Sequence, residues 1–221
     1  MKYLLTILFV ICTQLAFAQT IPMELTTSEL MKDIEQVRDE GKGTKMVFWF
    51  PQEYWDVCAN SDPNFQKSVA ELIKATFEDY TLIIAADMYE TGEGNHDYQP
   101  EEEMKKNIKI VDAIGNEYLP LEDKDISSTA LLFKEKLSPA LANAIGEMGK
   151  HAYLFFFKTA PANTNSTLKN GSFRVILNKS SFKWVLPLAC MLPPKYCPVD
   201  ELKMHGDWLY CPYHGVKLGK E

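Results

Sequence analysis

Three short apolar runs constrain this chain more than anything else in it: Lys45-Met-Val-Phe-Trp-Phe50, Thr81-Leu-Ile-Ile-Ala-Ala86 and Ala152-Tyr-Leu-Phe-Phe-Phe157. Each has the length of a strand and is apolar almost throughout, so each reads as a buried strand. Pro51 ends the first, because proline removes the donor that a ladder needs. Phe173-Arg-Val-Ile-Leu177 and Phe182-Lys-Trp-Val-Leu186 alternate instead, which is the period of a strand with one apolar face. Ile108-Lys-Ile-Val-Asp112 and Glu117-Tyr-Leu-Pro-Leu121 flank Ile114-Gly115-Asn116 and read as a hairpin, with Pro120 placing the second strand near an edge or an end.

Helical patterns separate these runs. Thr27 or Ser28 can cap a helix in which Leu30, Ile34 and Val37 recur at helical spacing, until Gly41 and Gly43 stop it. Phe65, Val69, Leu72, Ile73 and Phe77 mark an amphipathic helix leading into the second run. The stretch from Glu90 to Pro100 is rich in Gly, Asn and acids and reads as an exposed loop, its Glu90, Glu93, His96 and Asp97 solvated. After Pro100, residues 101–106 form a helical turn with acids first and lysines last, the order the helix dipole favours. Beyond Ser127 and Ser128, Leu131, Leu132, Leu137, Leu141 and Ile145 trace a helical face interrupted at Pro139 and closed by Gly149. Together these predict an α+β fold, a largely antiparallel sheet or sandwich with helices packed on it. The alternating helices and strands at the start keep α/β open as the other arrangement. There Phe48-Trp-Phe followed by Trp55-x-x-Cys58 is loosely similar to the entry to a thioredoxin active site, although Ser61 stands where the second cysteine would be.

The end of the chain carries the potential metal ligands. Cys197-Pro-Val-Asp200 is followed by Cys211-Pro-Tyr-His214-Gly215, offering two thiolates, a carboxylate and an imidazole, a four-ligand set for tetrahedral zinc. Glu201-Leu-Lys-Met and Asp207-Trp-Leu-Tyr210 flank His205-Gly206, so a hairpin is expected to bring Cys197 and Cys211 side by side. The stretch 197–215 resembles a zinc ribbon, whose usual form has two Cys-x-x-Cys knuckles; here Asp200 and His214 replace the second cysteines. The resemblance implies a structural metal site of Cys197, Asp200, Cys211 and His214. Three alternatives stand beside it. Cys-Pro-Tyr-His-Gly also matches the second half of a Rieske iron–sulfur motif, but neither Cys197 nor Cys190 has the histidine two residues on that the first half requires. A Cys197 to Cys211 disulfide suits the same hairpin, with Asp200 and His214 as ordinary surface residues beside it.

Residues 1–18 read as a secretory signal peptide. Lys2 precedes an apolar run from Tyr3 to Val10, and Ala16-Phe-Ala18 is a small-x-small site with cleavage expected after Ala18. No later segment is apolar enough to span a bilayer, so the mature chain is expected outside the cytoplasm, periplasmic or secreted. Residues 19–192 are read as the main domain and residues 193–221 as the C-terminal module, with Pro193-Pro194 as a stiff spacer. A formal charge of −7 argues against nucleic acid as a partner. Four cysteines remain after cleavage, too few for a disulfide-built scaffold, and whether Cys58 and Cys190 meet is not legible. No nucleophile elbow, zinc-protease motif, phosphate loop or nucleotide fingerprint is present. The expectation is an exported, non-enzymatic binding or assembly protein with a protein partner and a structural zinc tail. Its alternative is an envelope thiol-redox protein using Cys58 or a Cys197–Cys211 disulfide, and Trp208, Tyr210 and Tyr213 are expected to pack around the site.

Overall fold

The structure, a computed structural model, describes residues 25–159, 166–168 and 170–219; the expected leader lies outside them. The helices are α1 (Thr27–Ile34), α2 (Glu53–Ser61), α3 (Lys67–Thr76), α4 (Glu101–Asn107) and α5 (Ser128–Lys150). The strands are β1 (Glu35–Asp39), β2 (Gly43–Phe50), β3 (Tyr80–Gly92), β4 (Asn95–Tyr98), β5 (Ile108–Asp112) and β6 (Glu117–Tyr118). They continue with β7 (Tyr153–Lys158), β8 (Gly171–Leu177), β9 (Ser180–Leu186), β10 (Lys195–Tyr196) and β11 (Lys203–Met204).

The three apolar runs are neighbours in one sheet. β1, β2 and β3 follow in order, and β7 and β4 share the far edge of β3, on its first and second halves. Trp49 lies opposite Ile83, which lies opposite Phe155, and these face the second sheet; Phe48, Ile84 and Leu154 form the next row and face the helices. Both faces are covered, which is why these strands lack alternation. The second sheet, β6-β5-β8-β9, is covered on one face only and does alternate: Phe173, Val175 and Leu177 point in while Arg174 points out. Between the sheets, Trp49 meets the Phe173 ring edge-on at 4.9 Å, and Phe173 stacks on Trp184 at 5.3 Å. On the other side of the first sheet, α2, α3 and α5 bury Trp55, Ala70, Phe77 and Ala130. The molecule is therefore an α+β sandwich of two antiparallel sheets with a helical layer outside one of them. Every strand pairing among the described residues is antiparallel, so the α/β alternative is not the one adopted.

Several boundaries differ from the sequence expectation for local reasons. α1 is capped by Thr26, one residue before the expected Thr27 or Ser28, through a capping box with Glu29, and it ends at Ile34. Val37 belongs to β1 and is 51% exposed. Edge pairing of β1 with β2 decides there, since three spaced apolar residues cannot define a helix face that a sheet edge claims first. α2 follows Pro51 without a sequence forecast. Its buried apolar residues, Trp55 and Val57, are two apart and serve the two different cores. The stretch expected as a loop after Glu90 is the β3–β4 hairpin, exposed as foreseen and turned by Glu93 and Gly94 at positive φ. In α5 the backbone passes through Pro139 in helical conformation and breaks instead at Ile145 and Gly146, where Gly146 has φ of 63° and ψ of −135°. That break folds the last turn back until Gly149 abuts the Leu141 carbonyl, leaving no room for a Cβ.

α3 offers a test of how far apolar spacing misleads. Phe77, at its C-terminal cap, is fully buried and packs edge-on against Phe133 at 4.8 Å, whereas Leu72 is 65% exposed. Urea denaturation is expected to show Phe77→Ala losing about 3–5 kcal/mol and Leu72→Ala within roughly 0.5 kcal/mol of the parent.

Candidate metal centre

The tail is built from one unit used twice. Lys195-Tyr-Cys-Pro-Val-Asp-Glu-Leu-Lys-Met204 aligns without gaps with Leu209-Tyr-Cys-Pro-Tyr-His-Gly-Val-Lys-Leu218, sharing Tyr, Cys, Pro and Lys. The two folds match bond for bond. Tyr196 pairs with Lys203 and Tyr210 with Lys217. The Cys197 N–H donates to the Leu202 carbonyl and the Glu201 N–H to the Cys197 carbonyl; Cys211 with Val216 and Gly215 with Cys211 repeat this. Glu201 and Gly215 both adopt positive φ, 58° and 64°, to close the turn, a conformation that glycine takes freely and glutamate only under constraint. Each knuckle is thus closed by its own short ladder. The hairpin expected between 201–204 and 207–210 does not form; β11 pairs with β10, and the segment between the knuckles is a turn in which His205 stacks on Trp208 at 5.0 Å.

This duplication points both cysteines at one spot. Cys197 and Cys211 are buried together with Met204 and Leu218, again equivalent positions. Three polar atoms surround the Nδ1 atom of His214: Cys197 Sγ at 3.4 Å, Cys211 Sγ at 3.6 Å and Asp200 Oδ2 at 3.7 Å. A ring nitrogen carries at most one proton and cannot satisfy three such partners. A cation among them can. The donor atoms of Cys197, Cys211 and His214 lie within 4.8 Å of one another, and these three residues can hold a metal ion. Both cysteines are free. No other group of three or more such side chains converges among the described residues. Glu90, His96 and Asp97 stand instead on the exposed β3–β4 hairpin.

The surroundings of the two thiols are alike in kind and differ in balance. Burial pushes the Cys197 thiol up, against the N–H groups of Val199 and Asp200. At Cys211 burial acts in the same direction, but the N–H groups of His214 and Tyr213, with the His214 ring and Cys197, outweigh it and bring the thiol below its ordinary value. At Asp200 burial raises the carboxyl, yet the Cys197 thiol, the Leu202 N–H and His214 together hold it below the ordinary carboxylate range.

The remaining cysteines lie in the main body and take no part. Burial pushes the Cys58 thiol up, with Tyr54 and Thr27 as its partners. Cys190 is raised by burial and by the Asp33 carboxylate, which also accepts from the Cys190 N–H. Around the knuckles the aromatics do not pack as expected. Tyr213 is 74% exposed, and Trp208, Tyr210 and Tyr196 are exposed as well. The buried positions of the tail are taken by Cys197, Cys211, Met204 and Leu218. Sequence reading located the cysteines but missed the duplication, which the recurring Tyr-Cys-Pro with Lys six residues after each cysteine announces. Comparison of the chain with family models, with curated proteins and with solved structures finds no match.

Metal binding at this site requires thiolates, so protons compete with the metal. Because Cys211 ionises below the ordinary thiol value and Cys197 above it, apparent affinity is expected to rise with pH in two stages. Below both thiol pKa values two thiol protons leave per metal bound; between them one leaves; above both, none does. Competition titration against a chelator from pH 5 to 10 is expected to show that falling slope.

Proposed function

We propose that the chain is an exported, non-enzymatic binding or assembly protein whose tail is folded by one structural zinc ion held by Cys197, Asp200, Cys211 and His214. The observation that carries this reading is the set of distances around His214 Nδ1. For bonds of about 2.3 Å to sulfur and 2.0–2.1 Å to nitrogen at the tetrahedral angle, the sulfur-to-nitrogen edge is about 3.5 Å. The two edges measure 3.4 and 3.6 Å. The Asp200 carboxylate oxygen, at 3.7 Å, stands a few tenths of an ångström outside the matching edge, and Asp200 lies outside the close group of the other three. Soft thiolates with an imidazole favour zinc over calcium or magnesium, which take oxygen ligands.

Four protein ligands leave no position for substrate or water, so the ion folds the tail and does not catalyse. The partner surface follows from what the metal holds in place. Tyr196, Val199, Leu202, Leu209, Tyr210 and Tyr213 are all exposed on the two knuckles. Tyrosines and aliphatics presented on a rigid unit suit a protein partner, while the charge of −7 makes a polyanion a poor one. The redox reading fares worse at Cys58, since a reactive thiol needs a lowered pKa and burial raises this one.

Elemental analysis of the protein purified without chelator tests the reading, with free thiols titrated in parallel. About one zinc per chain is expected, absent from Cys211→Ala and His214→Ala and held roughly tenfold or more weakly by Asp200→Ala. A metal-free protein whose Cys197 and Cys211 react only after reduction would overturn it in favour of the disulfide.

A further inference from the structure

Between the helical layer and the five-stranded sheet lies a cavity of about 330 Å³. Its floor is the helix-facing row of the sheet, including Phe48, Leu82 and Ile84. α2 supplies one wall with Tyr54 and Trp55, and α5 the other. On α5 the residues facing the space include Ala140 and Ala144, one turn apart. A larger side chain at either would fill the cavity, so the space is written into the helix face. Just past Ala144 the helix breaks, and Ile145, 39% exposed, stands at the rim.

The chemistry of the lining narrows the occupant. No charged side chain reaches it, and the polar groups are the Tyr54 hydroxyl, engaged with the Cys58 thiol, and the Trp55 ring N–H. Water inside would find too few partners to compensate for what it leaves in bulk. A helix, about 10 Å across, is too thick for such a volume, and β2 and β3 are already paired on both edges, so no strand can be added. Ligand pockets run from roughly 300 Å³ upward and are mostly apolar with few polar groups, which this one matches at the small end. We propose that the cavity binds a single acyl chain, its polar head remaining in solvent beyond Ile145. This site is separate from the metal centre and does not depend on it.

Titration with the fluorescent fatty acid cis-parinaric acid tests the proposal on the full mature chain. Saturable binding at micromolar concentration is expected, displaced alike by a saturated fatty acid and by 1-dodecanol, because the chain and not the head is recognised. Ala144→Phe and Ala140→Phe, confirmed folded by circular dichroism, are expected to weaken binding at least tenfold. Removing metal with a chelator is expected to leave it unchanged, which keeps this outcome apart from that of the zinc reading. A diazirine-bearing fatty acid photolysed with the unaltered chain is expected to label the lining, at 31, 48–55, 82–84, 133–145 or 154, so the site is read even if a filled variant fails to fold. No saturable binding, labelling confined elsewhere, or full binding by both folded variants would overturn the proposal.

Discussion

Strand β3 is buried on both faces along its first half and paired along both edges, and the rest of the body is arranged to meet that demand. Leu82, Ile84 and Ala86 need a helical layer, while Ile83 and Ala85 need a second sheet. β2 takes one edge, and β7 and β4 divide the other. Thirteen residues are long enough for two partners to share an edge, which lets the body close without a barrel. Only a few polar groups enter this framework. Glu53 accepts from the Thr167 N–H and the Ser166 hydroxyl, tying the 166–168 segment to the start of α2. Asp87 is buried between Lys45 and Asn178 and so links the first sheet to the β8–β9 turn.

The tail obeys a different constraint. Its buried residues are Cys197, Met204, Cys211 and Leu218, and a unit of that size cannot bury enough apolar surface to order itself. The duplicated knuckle brings Cys197, Cys211 and His214 together, three side chains that can hold a metal ion, and such an ion would staple the unit. The tail also leans on the body. Gly206 sits against Leu192 so closely that a Cβ would lie 2.5 Å from the Leu192 Cβ. With its interior committed to sulfur and imidazole, the tail has nowhere to put Tyr210 and Tyr213 except outside.

Much of the body was legible because strand burial writes itself into local composition. Residues 45–50, 81–86 and 152–157 read as buried strands and are, and the alternation in β8 and β9 marked a one-sided sheet. What misled was spacing without context. Val37 continues the α1 period but lies on an edge strand, and Leu72 sits at helical spacing from residues that are buried while remaining exposed itself. Pro139 suggested the interruption of α5, yet Gly146 breaks it, because positive φ is open to glycine at little cost and the packing of Gly149 against Leu141 requires a turn there.

In the tail, residue types and spacing singled out Cys197, Asp200, Cys211 and His214, and the fold gathers Cys197, Cys211 and His214 into one group, since ligand chemistry depends on which atoms a short turn can present. The sequence by itself therefore determined the apolar and alternating strands β2, β3, β5, β7, β8 and β9, the largely antiparallel α+β class and the ligand candidates. Tertiary structure decided which polar atoms gather round His214 Nδ1, that each knuckle closes on its own ladder, and that a cavity remains beneath α5. Those features depend on distances between segments far apart in the chain, and a periodic pattern records only which face is apolar, never what stands opposite it.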